Sequence, residues 1–306
     1  MSGHGDPPPL WQYQFGRGEQ EWEEQDWKKS SWCLTCKVVP NCPGNDYYSH
    51  CMANLPIIAV AGLLGSGKTH WISQQIVAAS QSVLYCCPGS GNVPIDAHWI
   101  AAHFPQVKVV DEGQEMQHLI DLDPGTIAYV ELGFHLDLAT EFLAVLPCHK
   151  VAVLPPGYED NELRNWADEV SESKLTPTQN SLDSQQLIRS PLEGEVIDPA
   201  SLNIFWDELT QGAYGDVQRA KGIFDLVDGR SFHFDFVAQM TESKFTELPL
   251  PRWLDGRPQR FSGIEVGGNR LDSAAIAQTL QDCCLAEEMI AYYQEQIKAQ
   301  PEEIPV

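Results

Sequence analysis

The sequence predicts an α/β fold: a mainly parallel sheet covered by helices, followed by a second and smaller α/β unit. Three observations carry that expectation. Short β-branched runs alternate with helical stretches from Pro56 to about Val170, the pattern of parallel strands joined by helical crossovers. A glycine-rich octapeptide stands between the first of those runs and the first helical stretch. Beyond residue 200, Phe232, Phe234 and Phe236 alternate with His233 and Asp235 behind an Asp228-Gly229 turn, which reads as a half-buried hairpin.

The first strand is expected over 57–61, an apolar and β-branched run of the length a buried strand needs. A helix follows over 69–80, where Trp71, Ile72, Ile76, Val77 and Ala78 are apolar and proline is absent. Further strands are expected over 82–86, 107–110, 126–130 and 150–154. Residues 169–199 are rich in Ser, Gln, Glu and Asp without a period, and read as a linker or insertion. A helix over 202–210, strands over 220–226 and 259–266, and helices over 273–285 and 287–299 complete the second unit. The expected division is a Cys/Trp-rich, poorly ordered extension over 1–54, a loop-bearing α/β domain over 55–170, a polar linker over 171–199 and an α/β domain with a C-terminal helix over 200–306.

Composition excludes several classes of function. With 19 basic against 43 acidic residues the net charge is -24, which disfavours nucleic acid as a partner. No run approaches the roughly 20 apolar residues of a membrane span, and no basic-then-apolar leader opens the chain, so a cytoplasmic protein is expected. Nine cysteines, an odd number, point to reduced thiols or metal ligands over a disulfide framework.

The octapeptide is Gly62-Leu63-Leu64-Gly65-Ser66-Gly67-Lys68-Thr69, followed by His70. Glycines at this spacing let consecutive backbone N–H groups curl around an anion. Lys68 is placed to reach the β- and γ-phosphates of a nucleotide, and the Thr69 hydroxyl to hold Mg²⁺. The helix that begins there aims its N-terminal dipole at the same phosphates. Glu131 ends the strand over 126–130, where a carboxylate organises the water shell of Mg²⁺ or the attacking water. Asp111 closes the strand over 107–110 in the same manner and is its rival.

Two stretches together resemble the CobW-like family of P-loop GTPases, proteins linked to cobalamin synthesis, nitrile hydratase activation and zinc delivery. The first is the loop from Val60 to Thr69. The second is Gly215-Asp216-Val217-Gln218-Arg219-Ala220-Lys221-Gly222-Ile223-Phe224, similar to the Arg-x-Lys-Gly strand that opens the family's C-terminal domain. The resemblance implies GTP (or ATP) with Mg²⁺, low-turnover hydrolysis, an unidentified metal-dependent client protein, Glu131 as the catalytic carboxylate beside Lys68, and Asp96 as a switch aspartate near the metal. Asp96 as a cap of the helix that follows is the competing reading.

The sequence also departs from the family. Pro88-Gly89-Ser90-Gly91 precedes the Ile95-Asp96 pair where the family carries an acidic switch residue. Gly113-Gln114-Glu115-Met116 has no thiol where a Cys-x-Cys-Cys metal motif is expected. Ala167 to Lys174 lacks the Asn-Lys-x-Asp that selects guanine. A non-hydrolysing, nucleotide-responsive scaffold is therefore the alternative, and a metabolite kinase a third reading.

Cys33, Cys36, Cys42 and Cys51 have a composition suited to Zn²⁺, the alternative being four unpaired thiols; Met52 offers a second possible start. Cys86-Cys87 and Cys283-Cys284 are expected as buried small side chains. His233 and Asp235 are expected on the solvated face of the hairpin, with a metal or partner surface as the minority reading. Arg219 and Lys221 are expected to be structural.

Overall fold

The computed structural model describes residues 56–136, 138, 146–158, 161–173, 186–238 and 243–299. Cys33, Cys36, Cys42, Cys51 and the expected extension over 1–54 lie outside the described residues.

The first sheet contains β1 (Ile57–Gly62), β2 (Ser82–Cys86), β3 (Lys108–Val110), β4 (Thr126–Glu131), β5 (His149–Leu154) and β6 (Glu169–Glu172). Its order is β3-β2-β4-β1-β5-β6, every pair parallel. Crossovers are made by α1 (Lys68–Ala78), α2 (Ile95–His103), α3 (Glu115–Ile120) and α4 (Asn161–Trp166). Apolar clusters cover both faces, one around Ala59, Ala61, Val130 and Ala152, the other around Val60, Ile72, Tyr85 and Ile100. Burial on two sides explains why these strands read as continuous apolar runs.

The second sheet contains β7 (Gln186–Pro191), β8 (Val196–Ile197), β9 (Asp216–Leu226), β10 (Ser231–Val237), β11 (Lys244–Glu247) and β12 (Gly263–Asn269). Its order is β11-β10-β9-β12-β7, antiparallel, with β8 added parallel to β9. One face is covered by α5 (Pro199–Thr210) and α6 (Ser273–Asp282), where Phe205, Trp206, Phe224, Phe234 and Ile276 form the core. Asp198 caps α5 by accepting from the Ser201 N–H at 2.8 Å, with Pro199 at its first turn. A last helix, α7 (Glu287–Ala299), follows.

Two expectations are corrected. The stretch expected as a linker over 171–199 supplies β7 and β8, because β7 is an edge strand whose Arg189 is neutralised by Glu265 of β12, a partner 76 residues away. The strand expected over 259–266 starts only at Gly263 and runs to Asn269; Arg260 is instead bonded to the buried Asp225 at 2.6 Å and to the carbonyls of Pro251 and Gly229.

All described residues belong to one compact unit. The two sheets meet along α2, where Val93 and Ile95 pack with Ile223 and Leu248, and Trp99 and Phe261 lie against them. Among the described residues no helix is long and apolar enough to cross a membrane.

Candidate functional site between the loop and the second sheet

β1 ends at Gly62, where a side chain would collide with the Val153 carbonyl at 2.4 Å and the Ser66 hydroxyl at 2.5 Å. The loop closes by a bond from the Ser66 N–H to the Leu63 carbonyl, 3.1 Å, and Gly65 (φ 73°) and Gly67 (φ 87°) take left-handed conformations that suit glycine. Gly67 caps α1 through its backbone alone, with neither a side-chain cap nor an acidic residue in the first turn. The helix therefore keeps its free N–H groups and positive end for an anion. The buried Ser66 hydroxyl has no hydrogen-bond partner. Lys68 is also buried, and its ammonium donates to the carbonyls of Gly62 (3.3 Å) and Leu63 (3.2 Å). Burial lowers its pKa, with Glu131 pulling in the opposite direction.

Two carboxylates converge on the hydroxyl next to it. Thr69 Oγ1 is 2.8 Å from Glu131 Oε1 and 3.2 Å from Asp96 Oδ1, and the Tyr85 hydroxyl donates to Glu131 Oε2 at 2.8 Å. Burial, then the nearby Asp96 charge, raises the Glu131 pKa to about 6. Burial acts upward on Asp96 as well, but Lys221 prevails and brings it to about 2. Asp96 stands in the first turn of α2 and does not cap it, since no side chain does. Asp111 is exposed and does not line the cavity, so of the two rivals it is Glu131 that meets the loop.

The opposite wall of the cavity, about 620 Å³ in volume, comes from the second sheet. Lys221 is paired with Asp96 and, at 3.1 Å, with Glu265; Arg189 Nε bonds Glu265 at 2.7 Å and its Nη1 reaches the Gly89 carbonyl at 2.7 Å. Arg219 pairs with Asp235. His233 is displaced by burial to about 4, which leaves it neutral near pH 7. The expectation that His233 and Asp235 lie on a solvated face is thus overturned: that face of the sheet looks into the cavity. Arg219 and Lys221, read from sequence as structural, are also on its wall. The one sequence signal that pointed to them was their alternation about Ala220, which puts both on one face of a strand whose other face is core.

His70 lines the cavity and is exposed, its ring within 3.0 Å of Gln74 Nε2. Ser171, Glu172 and Ser173, from the segment without the guanine motif, line it as well. Glu115 is turned back to accept from the Gly113 N–H at 2.7 Å. Among the described residues no group of three or more His, Cys, Asp and Glu is placed to hold a metal ion.

Residues 193–284 match the family model of the cobalamin synthesis protein cobW C-terminal domain. No curated protein matches the chain. Among solved structures, a Zn(II)-bound YjiA GTPase from E. coli aligns over 74% of this chain and 98% of its own with 10% identity and a TM-score of 0.29. A Zn(II)-bound triple mutant of YjiA GTPase aligns with the same values. Likeness at that level carries no argument. The domain match does, for the residues it covers: from β8 to α6 the second unit is similar to the cobW C-terminal domain.

Proposed function

We propose that the chain binds a purine nucleoside triphosphate, GTP by its resemblance, together with Mg²⁺, and hydrolyses it slowly to drive a metal-handling interaction with a client protein. The observation that carries this reading is the convergence of a buried Lys68, the Thr69 hydroxyl and two carboxylates at the open N-terminus of α1. Thr69, Glu131 and Asp96 offer hard oxygen donors of the kind Mg²⁺ takes alongside phosphate oxygens, so the donor set fits that ion. When bound, the ion neutralises charge that develops on the phosphates.

The loop N–H groups of Gly65 and Gly67, with that of Ser66 once it leaves the Leu63 carbonyl, hold the anion, and Lys68 stabilises charge on the β- and γ-phosphates. Glu131, fixed by Tyr85 and Thr69, orients water, and the second sheet keeps bulk solvent from the reacting end. Without the acidic switch residue and the guanine motif, turnover falls below that of dedicated NTPases. We place this activity in the cytoplasm.

A second reading, a nucleotide-responsive scaffold without hydrolysis, is favoured by one observation: Lys68 and Thr69 already have partners within the protein.

Calorimetry of GTP and ATP, each with Mg²⁺, on the wild type and Lys68→Ala tests the proposal. Saturable binding, tighter for GTP and lost in the variant, supports it; no binding of either nucleotide ends it. Release of phosphate without an added acceptor separates hydrolase from scaffold and from kinase. Failure to bind Zn²⁺ or Co²⁺ at low micromolar concentration by the full chain would sink the metal-handling role.

A further inference from the structure

Four cations from the second sheet line the cavity; Lys244 is exposed, and Arg189, Arg219 and Lys221 are each held by a carboxylate that lines the same cavity. Arg189 with Glu265 and Arg219 with Asp235 are pairs within the sheet. Lys221 differs, because its pairing with Asp96 crosses to α2 of the first sheet. The Asp96 carboxylate is thus divided: one oxygen is on Lys221, and the other is 3.2 Å from the Thr69 hydroxyl at the start of α1. A cation bound beside Thr69 and the phosphates beside Lys68 would both draw on that division, the first by claiming Asp96, the second by offering Lys221 a stronger anion.

The second sheet is also seated on the loop itself. A side chain on Gly65 would lie 3.3 Å from Arg219 Cδ and from Val237 Cγ1, and one on Gly267 would lie 2.6 Å from Leu64 Cδ2. The Lys221 side chain is only 14% exposed, so its ammonium is directed into the cavity and not into solvent.

From this geometry we infer that Lys221 is a phosphate-contacting residue supplied by the second sheet, which exchanges Asp96 for the terminal phosphate and so makes the site prefer nucleoside triphosphate to diphosphate. The inference rests on the nucleotide reading above. A lysine suits the exchange: its compact ammonium can pass between oxygens without the planar, bidentate geometry that fixes an arginine to one carboxylate. Without Asp96 the ammonium would keep only Glu265, which Arg189 also engages, and an under-compensated charge withdrawn from water is costly, so a new anion would replace the old one. Among the groups of the proposed complex, the terminal phosphate is the added anion that a diphosphate lacks.

Two measurements test it. In the first, calorimetry with Mg²⁺ compares GDP and a slowly hydrolysed GTP analogue on the wild type and Lys221→Gln. The expected result is roughly tenfold weaker binding of the triphosphate with the diphosphate changed less than about twofold. Equal loss for both, or no loss, makes Lys221 a structural ion-pair partner and overturns the inference while leaving the loop reading intact. A wild type that binds neither nucleotide overturns both.

The second uses unaltered protein and so does not depend on whether the variant folds. A GTP acyl phosphate carries a mixed anhydride on its γ-phosphate; a lysine amine in reach attacks the acyl carbon, forms an amide, and expels the triphosphate. Peptide mass spectrometry should find the acyl group on Lys68 and on Lys221, suppressed by excess GTP. Acylation of Lys68 without Lys221 overturns the inference.

Discussion

Two lysines face one cavity, Lys68 buried and Lys221 partly so, and their surroundings displace them in opposite directions. Lys68, on the loop, has only backbone carbonyls as hydrogen-bond partners, and burial lowers its pKa. Lys221, on β9, is also pulled down by burial, but Asp96 and then Glu265 raise it well above the ordinary lysine value. The difference lies in the neighbours, since both side chains are withdrawn from water. A lysine satisfied only by carbonyls remains under-compensated, and an incoming phosphate relieves it. A lysine between two carboxylates is already compensated, and responds only when one of them is claimed by something else. In the proposed complex the loop is a receiver and the second sheet a sensor, and the two carboxylates on Thr69 divide in the same way: Glu131 on the side of Lys68 at about 6, Asp96 on the side of Lys221 at about 2.

The largest effect expected from this contrast is at the receiver. Lys68→Ala should weaken both GTP and GDP by roughly a hundredfold or more, because the charge-assisted contacts of Lys68 do not depend on the terminal phosphate alone. Calorimetry on both nucleotides checks it. A loss confined to the triphosphate would break the comparison, since it would give Lys68 the role inferred for Lys221.

Glu131→Gln should come next. Turnover is expected to fall about a hundredfold, within the range for loss of a single well-placed group, with nucleotide affinity changed far less. The same variant should melt higher. The folded pKa of about 6 lies above the ordinary value of 4.5, so the folded state holds the proton more tightly than the unfolded state. Ionised Glu131 consequently costs stability above pH 6, and that cost disappears as pH falls through 6 to 4.5. A displacement of this size corresponds to about 2 kcal/mol, a few degrees in Tm at pH 7.5 and nothing at pH 4.5. Thermal melts at the two pH values read the sign directly.

A third expectation sharpens the division between the carboxylates. Mg²⁺-dependent nucleotide affinity should decline as pH is lowered from 7 to 5, as Glu131 takes up a proton and ceases to be a ligand. Asp96, held near 2, stays ionised throughout and should contribute nothing to that decline. Calorimetry across this range on Glu131→Gln should give a flat profile; an unchanged slope would assign the titration to another group.

How much of this was legible before the structure follows the same line between the sheets. The local structure of residues Gly62 to Thr69 could be read, because strand, glycines and helix lie within one short segment, and the strand's burial on two faces writes itself as an unbroken apolar run. Glu131 could be read from its place at a strand end. The second sheet hid its inner face because the rule that assigned it, apolar residues inward and polar residues to solvent, fails where charges neutralise one another. Arg219 finds Asp235 on the next strand, Arg189 finds Glu265 across β12, and Lys221 finds Asp96 on another sheet altogether. Such partners are 16, 76 and 125 residues apart, and no periodicity within one strand encodes them. The same distance hid β7, whose polar sequence is stable as a strand only once β12 is beside it.

The smallest expected effect concerns the seat between loop and sensor. Gly267 on β12 leaves room for Leu64 at the tip of the loop; a methyl group there would stand 2.6 Å from Leu64 Cδ2, the free end of a flexible side chain. Gly267→Ala should therefore cost only about 1 kcal/mol, since the leucine can turn aside. Leu64→Ala loses partly buried apolar area and should cost a comparable amount. If the loop rests on the second sheet as the structure has it, the double variant is less destabilised than the sum of the two, because the alanine at 64 removes the atom that the alanine at 267 would strike. Equilibrium unfolding of the four proteins gives that coupling. Strict additivity would mean that Leu64 and Gly267 do not touch in solution, and the sensor would then lack the fixed distance from the receiver on which an exchange of Lys221 between Asp96 and a phosphate depends.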